Sequence, residues 1–226
     1  MARLPRRVAI HICKEAAINT QPTMQSGANA YHHLAKPAAS GAPLVFAFHG
    51  TGGDGRQLSG LGAQILPDAG IVAPRGDVSE YGAARFFRRT GEGVYDMPDL
   101  AARTQKMIGF IRAHRAANPG ARAYGIGYSN GANILASVLF AAPELFDRAV
   151  LMHPLIPFEP APQPGLSSAA VMVTAGRRDP ICPAPLTERL ASWLAAQGAT
   201  VETLWHEGGH EMREGEIAAA ARFLSA

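Results

Sequence analysis

Ala121-Arg-Ala-Tyr-Gly-Ile-Gly-Tyr-Ser129-Asn-Gly-Ala-Asn-Ile-Leu-Ala-Ser-Val-Leu-Phe140 changes character at a single residue. Up to Tyr128 the run has the short, apolar make-up of a buried strand. Beyond Ser129, residues 131–140 are apolar nearly all round, which predicts a helix buried in the middle of the molecule. Nothing is left between them for a loop, so Gly127-Tyr128-Ser129-Asn130-Gly131 must turn the chain from strand to helix almost at once. A turn that sharp strains the serine backbone and needs small neighbours. The two glycines meet that need, and the hydroxyl is pushed to the carboxyl edge of the sheet.

On both sides of this stretch, strand and helix patterns alternate, which predicts an α/β fold with a mostly parallel sheet covered on both faces. Leu44–Phe48, Ile71–Ala73, Ala149–Met152, Ala169–Ala175 and Thr200–Trp205 read as further strands. Leu100, Thr104, Met107, Ile108 and Ile111 form one stripe of an amphipathic helix. Leu186, Leu190, Trp193 and Leu194 form another, stopped by Gly198, and Glu214–Leu224 reads as a last surface helix. The Pro-rich segment 154–164 is too short to hold a helical lid. With 226 residues, no internal repeat and no linker, the chain reads as one domain over 24–226, preceded by an extension, 1–23.

The net charge of +3 lies in that extension, where Arg3, Arg6, Arg7 and Lys14 face only Glu15. Residues 24–226 are balanced, so the folded part has no basic excess with which to neutralise phosphates, and nucleic acid is not expected as a partner. No apolar run reaches the roughly 20 residues of a membrane span. His11 interrupts the short apolar stretch of the extension, and Lys14 and Glu15 stand where a signal peptide needs small residues. A start at Met24 fits the sequence equally. Cys13 and Cys182 make no disulfide framework, and a cytoplasmic location is expected.

A serine hydroxyl becomes a nucleophile only beside a base, and the base needs an orienting acid. Asp179 follows the strand ending Thr174-Ala175-Gly176, and His210 follows the strand ending Trp205-His206. Both fall at carboxyl ends of strands, where open α/β sheets place their sites. The order Ser, Asp, His is the one this architecture uses. Two backbone N–H groups should hold a developing oxyanion: that of Asn130, directly after the serine, and that of Thr51 in the glycine-rich loop His49–Gly55.

Taken together, His49-Gly-Thr-Gly-Gly-Asp54, Gly127-Tyr-Ser-Asn-Gly-Ala-Asn133, Gly176-Arg-Arg-Asp-Pro180 and Gly208-Gly-His210 resemble the phospholipase/carboxylesterase family. Within it they are similar to small bacterial hydrolases linked to hydroquinone-type stress. Pro74-Arg-Gly76 and Arg85-Phe-Phe-Arg-Arg89 belong to the same pattern, and the resemblance runs from about residue 30 to the end. It implies a lidless α/β-hydrolase fold acting on small-molecule esters or thioesters without a cofactor. A carboxylesterase is the expected activity. A thioesterase or lysophospholipase would use the same machinery, and a catalytically silent ligand receptor is the alternative of a different class. A homo-oligomer is compatible with the sequence.

Other patterns point elsewhere and are weaker. His206-Glu-Gly-Gly-His210 spells the zinc-protease signature, yet that chemistry needs a helix. Two adjacent glycines and a preceding strand pattern argue against one, so no metal is expected. Gly125, Gly127 and Gly131 mimic a dinucleotide loop, but the acid that should follow at the end of the next strand is missing. Cys182 reads as packing rather than catalysis, since nothing places it in an elbow, and His153, at a strand end, reads as a pocket-lining residue or, in preference, a hydrogen-bonded structural histidine. Arg85–Arg89 admits two readings: buried phenylalanines with arginines paired to Glu92 or Asp96, or Phe87 walling an acyl pocket while Arg88 meets an anionic substrate group.

Overall fold

The computed structural model describes residues 27–226; the expectations for residues 1–23, and for a start at Met24, lie outside them. Seven strands form the main sheet: β1 (His33–Lys36), β2 (Leu44–Phe48), β3 (Gly70–Pro74), β8 (Ala123–Tyr128), β9 (Arg148–Met152), β10 (Ala170–Gly176) and β11 (Thr200–His206). Their spatial order is β1-β3-β2-β8-β9-β10-β11, and every pair is parallel except β1 with β3. Between β3 and β8 lie two short antiparallel ladders, β4 (Val78–Glu80) with β5 (Ala83–Arg85) and β6 (Arg89–Gly91) with β7 (Val94–Tyr95).

The helices are α1 (Gly55–Ile65), α2 (Met97–Ala116), α3 (Asn130–Ala141), α4 (Ala184–Ala196) and α5 (Glu214–Ser225). Alternation along the strands separates two apolar layers. In β2, Val45 and Ala47 join Ile71, Ile126, Val150 and Met172 under α1 and α5. Leu44, Phe46 and Phe48 face the other way, with Leu151, Val171 and Val173, under α2, α3 and α4. The α/β fold with a mostly parallel sheet, expected from the strand and helix pattern, is therefore present, with Gly198 closing α4 at φ 89.

Strand β1, helix α1 and the two short ladders were not foreseen. Strand β1 has only one partly buried residue, so it carries no alternating pattern. Helix α1 contains Gly55, Gly60 and Gly62 and little propensity of its own; it forms because Leu58, Leu61 and Ile65 bury against β2 and β3. The two ladders are two or three residues long, below the length at which periodicity is readable. Between β9 and β10 the described chain holds only a 3₁₀ turn at Pro164–Ser168, and no helical lid. Among the described residues no helix is long and apolar enough to cross a membrane.

The parallel registers bring Phe48, Tyr128, Met152, Gly176 and His206 to one edge of the sheet. Ile126 is fully buried at the centre of β8, so truncating it removes contacts in the layer below that edge. Ile126→Ala should cost about 2–5 kcal/mol in urea unfolding, with an unchanged m-value. A loss below about 1 kcal/mol would mean that this layer repacks freely.

Candidate active site

Ser129 joins β8 to α3 with φ 52 and ψ −117, a left-handed conformation that costs a non-glycine residue about 1–3 kcal/mol. Its surroundings explain the glycines. A Cβ on Gly127 would lie 2.6 Å from the Gly131 carbonyl oxygen, and one on Gly131 would overlap the Phe48 carbonyl of β2. The serine Oγ is 2.8 Å from His210 Nε2, and His210 Nδ1 is 2.7 Å from Asp179 Oδ2. The three residues predicted from sequence thus meet in one hydrogen-bonded chain.

Two loops bring Asp179 and His210 together. Arg177 and Arg178 donate their backbone N–H groups to the carbonyls of His206 and Gly208. Gly176 lies against the Gly208 and Gly209 carbonyls so closely that no side chain fits there. Tyr128 Oη donates to the His210 carbonyl at 2.7 Å, fixing the histidine loop over the end of β8. Burial and the neighbouring Asp179 carboxylate push the Tyr128 phenol up to about 12, so it remains a donor across the neutral range.

Asp179 is buried and accepts four hydrogen bonds. Oδ1 takes the Ile181 and Cys182 N–H groups at 2.8 and 2.9 Å, and Oδ2 takes His210 and His153 at 2.7 and 3.0 Å. Burial pushes this carboxyl up, and the four donors more than offset it, holding the group below the usual carboxylate range. His153 continues the chain: its Nε2 lies 3.0 Å from Glu216 Oε1, and both residues are buried. Burial opposes charge on the His153 ring, but the hydrogen bonds to Glu216 and Asp179 outweigh it and raise the ring above the ordinary histidine value.

The Thr51 and Asn130 N–H groups donate to no other group among the described residues, and both residues line the cavity beside Ser129. The loop carrying Thr51 is held from three sides. His49 Nε2 accepts the Gly76 N–H at 2.9 Å, which leaves its Nδ1–H to donate to the Gly50 carbonyl at 2.6 Å. Gln57 accepts the Gly50 N–H at 3.0 Å, and Gly52, at φ 78, donates to the Ala84 carbonyl. Burial lowers the His49 value, in keeping with the neutral ring that these bonds require.

The cavity has a volume of about 310 Å³. Arg85, Arg89, Glu92, Asn133, Leu155 and Ile181 contribute to its walls. The arginine pattern divides differently from the pocket reading of the sequence. Phe87 is fully buried against Tyr95, and Arg88 points away from the cavity to Asp96 and Asp99 at 3.3 and 3.5 Å. Arg85 and Arg89 reach the cavity instead, both anchored on Glu80. Arg85 ends β5 and Arg89 begins β6, whereas Arg88 lies between the two ladders. His206 ends a strand and both ring nitrogens of His210 face Asp179 and Ser129, so His206-Glu-Gly-Gly-His210 does not form a metal-binding helix face. Cys182 is buried beside the site, and burial pushes its thiol well above the usual range, away from the thiolate form.

Comparison with known proteins places these features in a family. Residues 97–216 match the sequence pattern of the Dienelactone hydrolase family. The chain is 39% identical over 177 residues to MhqD of Bacillus subtilis (strain 168), described as a hydrolase, covering 76% of this chain and 88% of that protein. Among solved structures it is similar to Atu2452 of Agrobacterium tumefaciens, a protein of unknown function, at 57% identity and TM-score 0.82, covering 87% of this chain and 97% of the other. A Bacillus cereus carboxylesterase superposes with TM-score 0.80 at 34% identity, over 86% of this chain and 93% of that one. The carboxylesterase resemblance read from the sequence agrees with these relatives. The chain belongs to the dienelactone hydrolase family, a family of hydrolases with the α/β-hydrolase fold.

Proposed function

We propose that the protein is a serine hydrolase that cleaves carboxylic esters of small molecules through an acyl-enzyme intermediate. The observation that carries this reading is the unbroken chain from Ser129 Oγ through His210 to Asp179 Oδ2, at the wall of an open cavity. The carboxylesterase from Bacillus cereus, similar over most of both chains, supports the choice of ester.

Ser129 Oγ attacks the ester carbonyl while His210 Nε2 takes its proton; the oxyanion lies between the Thr51 and Asn130 N–H groups. The tetrahedral species collapses as His210 returns the proton to the alkoxide, which leaves as the alcohol. Water then gives its proton to His210 and attacks the acyl carbonyl, and the acid is released with Ser129 restored. Asp179 stays ionised and holds the histidine with Nδ1–H inward, so Nε2 is free to accept. Both donors of the oxyanion site sit on backbone fixed by other contacts, which spares reorganisation during the reaction.

Ser129→Ala should lower kcat on an activated ester by about 10⁴- to 10⁶-fold and abolish labelling by a fluorophosphonate, with thermal unfolding largely unchanged. Near-normal turnover in this variant would end the proposal. The cavity wall mixes charged and polar side chains, Arg85, Arg89, Glu92 and Asn133, with apolar ones such as Leu155 and Ile181, and no lid extends it. Short acyl esters should therefore react at least as well as long ones. A pocket for long chains would gain about 0.8 kcal/mol per buried CH₂, so a steep rise of kcat/KM from acetate to octanoate would contradict a short acyl site.

A further inference from the structure

Beyond His210, a second histidine touches the same carboxylate from the opposite side. His153 leaves β9 with φ 50, one of three non-glycine residues at positive φ among those described. Its ring is fully buried, and its nitrogens face two different acids, Asp179 and Glu216, each at 3.0 Å. Ionised carboxylates only accept hydrogen bonds, so the protons in this cluster can be assigned from the remaining contacts.

Asp179 already has donors on both oxygens: the Ile181 and Cys182 N–H groups, and His210. Glu216 Oε2 accepts the Arg213 N–H at 2.7 Å and faces His206 Nε2 at 3.3 Å. His206 Nδ1 accepts the Gly208 N–H, and its Nε2 makes no hydrogen bond among the described residues. If both acids, so supplied with donors, are ionised, His153 donates from both nitrogens and is an imidazolium. The other groups around it carry no opposing charge. The Tyr128 ring is 5.9 Å away with its hydroxyl donated to His210, and Cys182 Sγ lies against the His153 carbonyl as a neutral thiol. The His206 and His210 rings lie 5.3 and 5.2 Å from that of His153.

We propose that His153 and Glu216 are positioning residues for hydrolysis: a buried imidazolium, held in place by Glu216, fixes the Asp179 carboxylate and sets the lowest pH at which His210 serves as a base. The inference rests on the triad proposed above. Asp179 by itself draws a proton onto His210, whereas a positive ring on the same Oδ2 opposes that pull. The His153–Glu216 pair therefore acts as a fixed dipole with its positive end toward the triad. This dipole opposes the pull of Asp179 on a proton at His210, and Asp179 still stabilises the imidazolium formed on His210 in the transition state.

The test is the pH profile of kcat/KM on a neutral short-chain ester for wild type, Glu216→Gln and His153→Asn, with thermal unfolding followed alongside. Asparagine tolerates the left-handed backbone at position 153, and glutamine keeps the shape of Glu216 without its charge. In both variants the acid limb should move upward by about one pH unit: His153→Asn removes the positive ring, and Glu216→Gln removes the acid that keeps the ring charged. Plateau kcat should stay within about tenfold of wild type, as the triad itself is intact. An acid limb that stays in place while the rate falls equally at every pH would reduce both residues to a structural role, and a downward shift would overturn the proposal as well. A measurement on wild type does not depend on the variants folding. Nitrogen-15 spectra of the His153 ring, assigned through its bonds to the backbone, should show both nitrogens protonated at neutral pH, and a neutral ring would overturn the assignment. Failure of the triad is a separate result, seen as retained turnover in Ser129→Ala or as absent fluorophosphonate labelling of wild type.

Discussion

Helix α3 begins so close to the end of β2 that Gly131 has no space for a methyl group against the Phe48 carbonyl. Much of the site's geometry follows from this backbone contact. It forces the chain through the left-handed conformation at Ser129 and lifts the hydroxyl out of the sheet. It also sets the first N–H of α3 beside the loop leaving β2, so Asn130 and Thr51 line one cavity. The Asn130 side chain, accepting the Phe86 N–H at 2.8 Å, ties in the segment that supplies Arg85 and Arg89. A strained turn persists only where its surroundings over-determine it, and here α3 is buried along most of its length.

Burying Asp179, His153 and Glu216 side by side is costly, because each ion loses its hydration. The structure offsets that cost with hydrogen bonds. The two carboxylates draw backbone donors from Ile181, Cys182 and Arg213, and the histidine between them serves both. Burial and hydrogen bonding thus act in opposite directions on all three groups, and hydrogen bonding prevails at each. Removing one partner from such a cluster costs stability, since the remaining charge is left buried and less well paired.

The cavity wall is built on a different principle. Arg85 and Arg89 share Glu80, and Arg89 also meets Glu92, so positive and negative groups nearly balance beside the serine. The proposed triad sits on the turn before α3 and on the loops that follow β10 and β11, whereas Arg85 and Arg89 of this wall come from short ladders. Residues carried on loops over a rigid sheet can vary without disturbing the sheet itself.

Local sequence determined the central strands, the buried helix α3 and the turn at Ser129, because apolar runs and glycine spacing follow from packing that each segment carries in itself. The order of Ser129, Asp179 and His210 at strand ends was legible for the same reason: the sheet edge is implied once the strands are. Tertiary structure alone decided the rest. Strand β1 and helix α1 take their form from the sheet they pack on and carry little periodic signal. Arg88 meets Asp96 while Arg85, at the end of a three-residue strand too short to read from sequence, lines the cavity. Glu216 reads as a solvent-facing acid on a surface helix, yet it is buried against His153, a residue 63 positions away. A carboxylate has no periodic signature of its own, and only the approach of α5 to the ends of β9 and β10 turns it into a partner of the site.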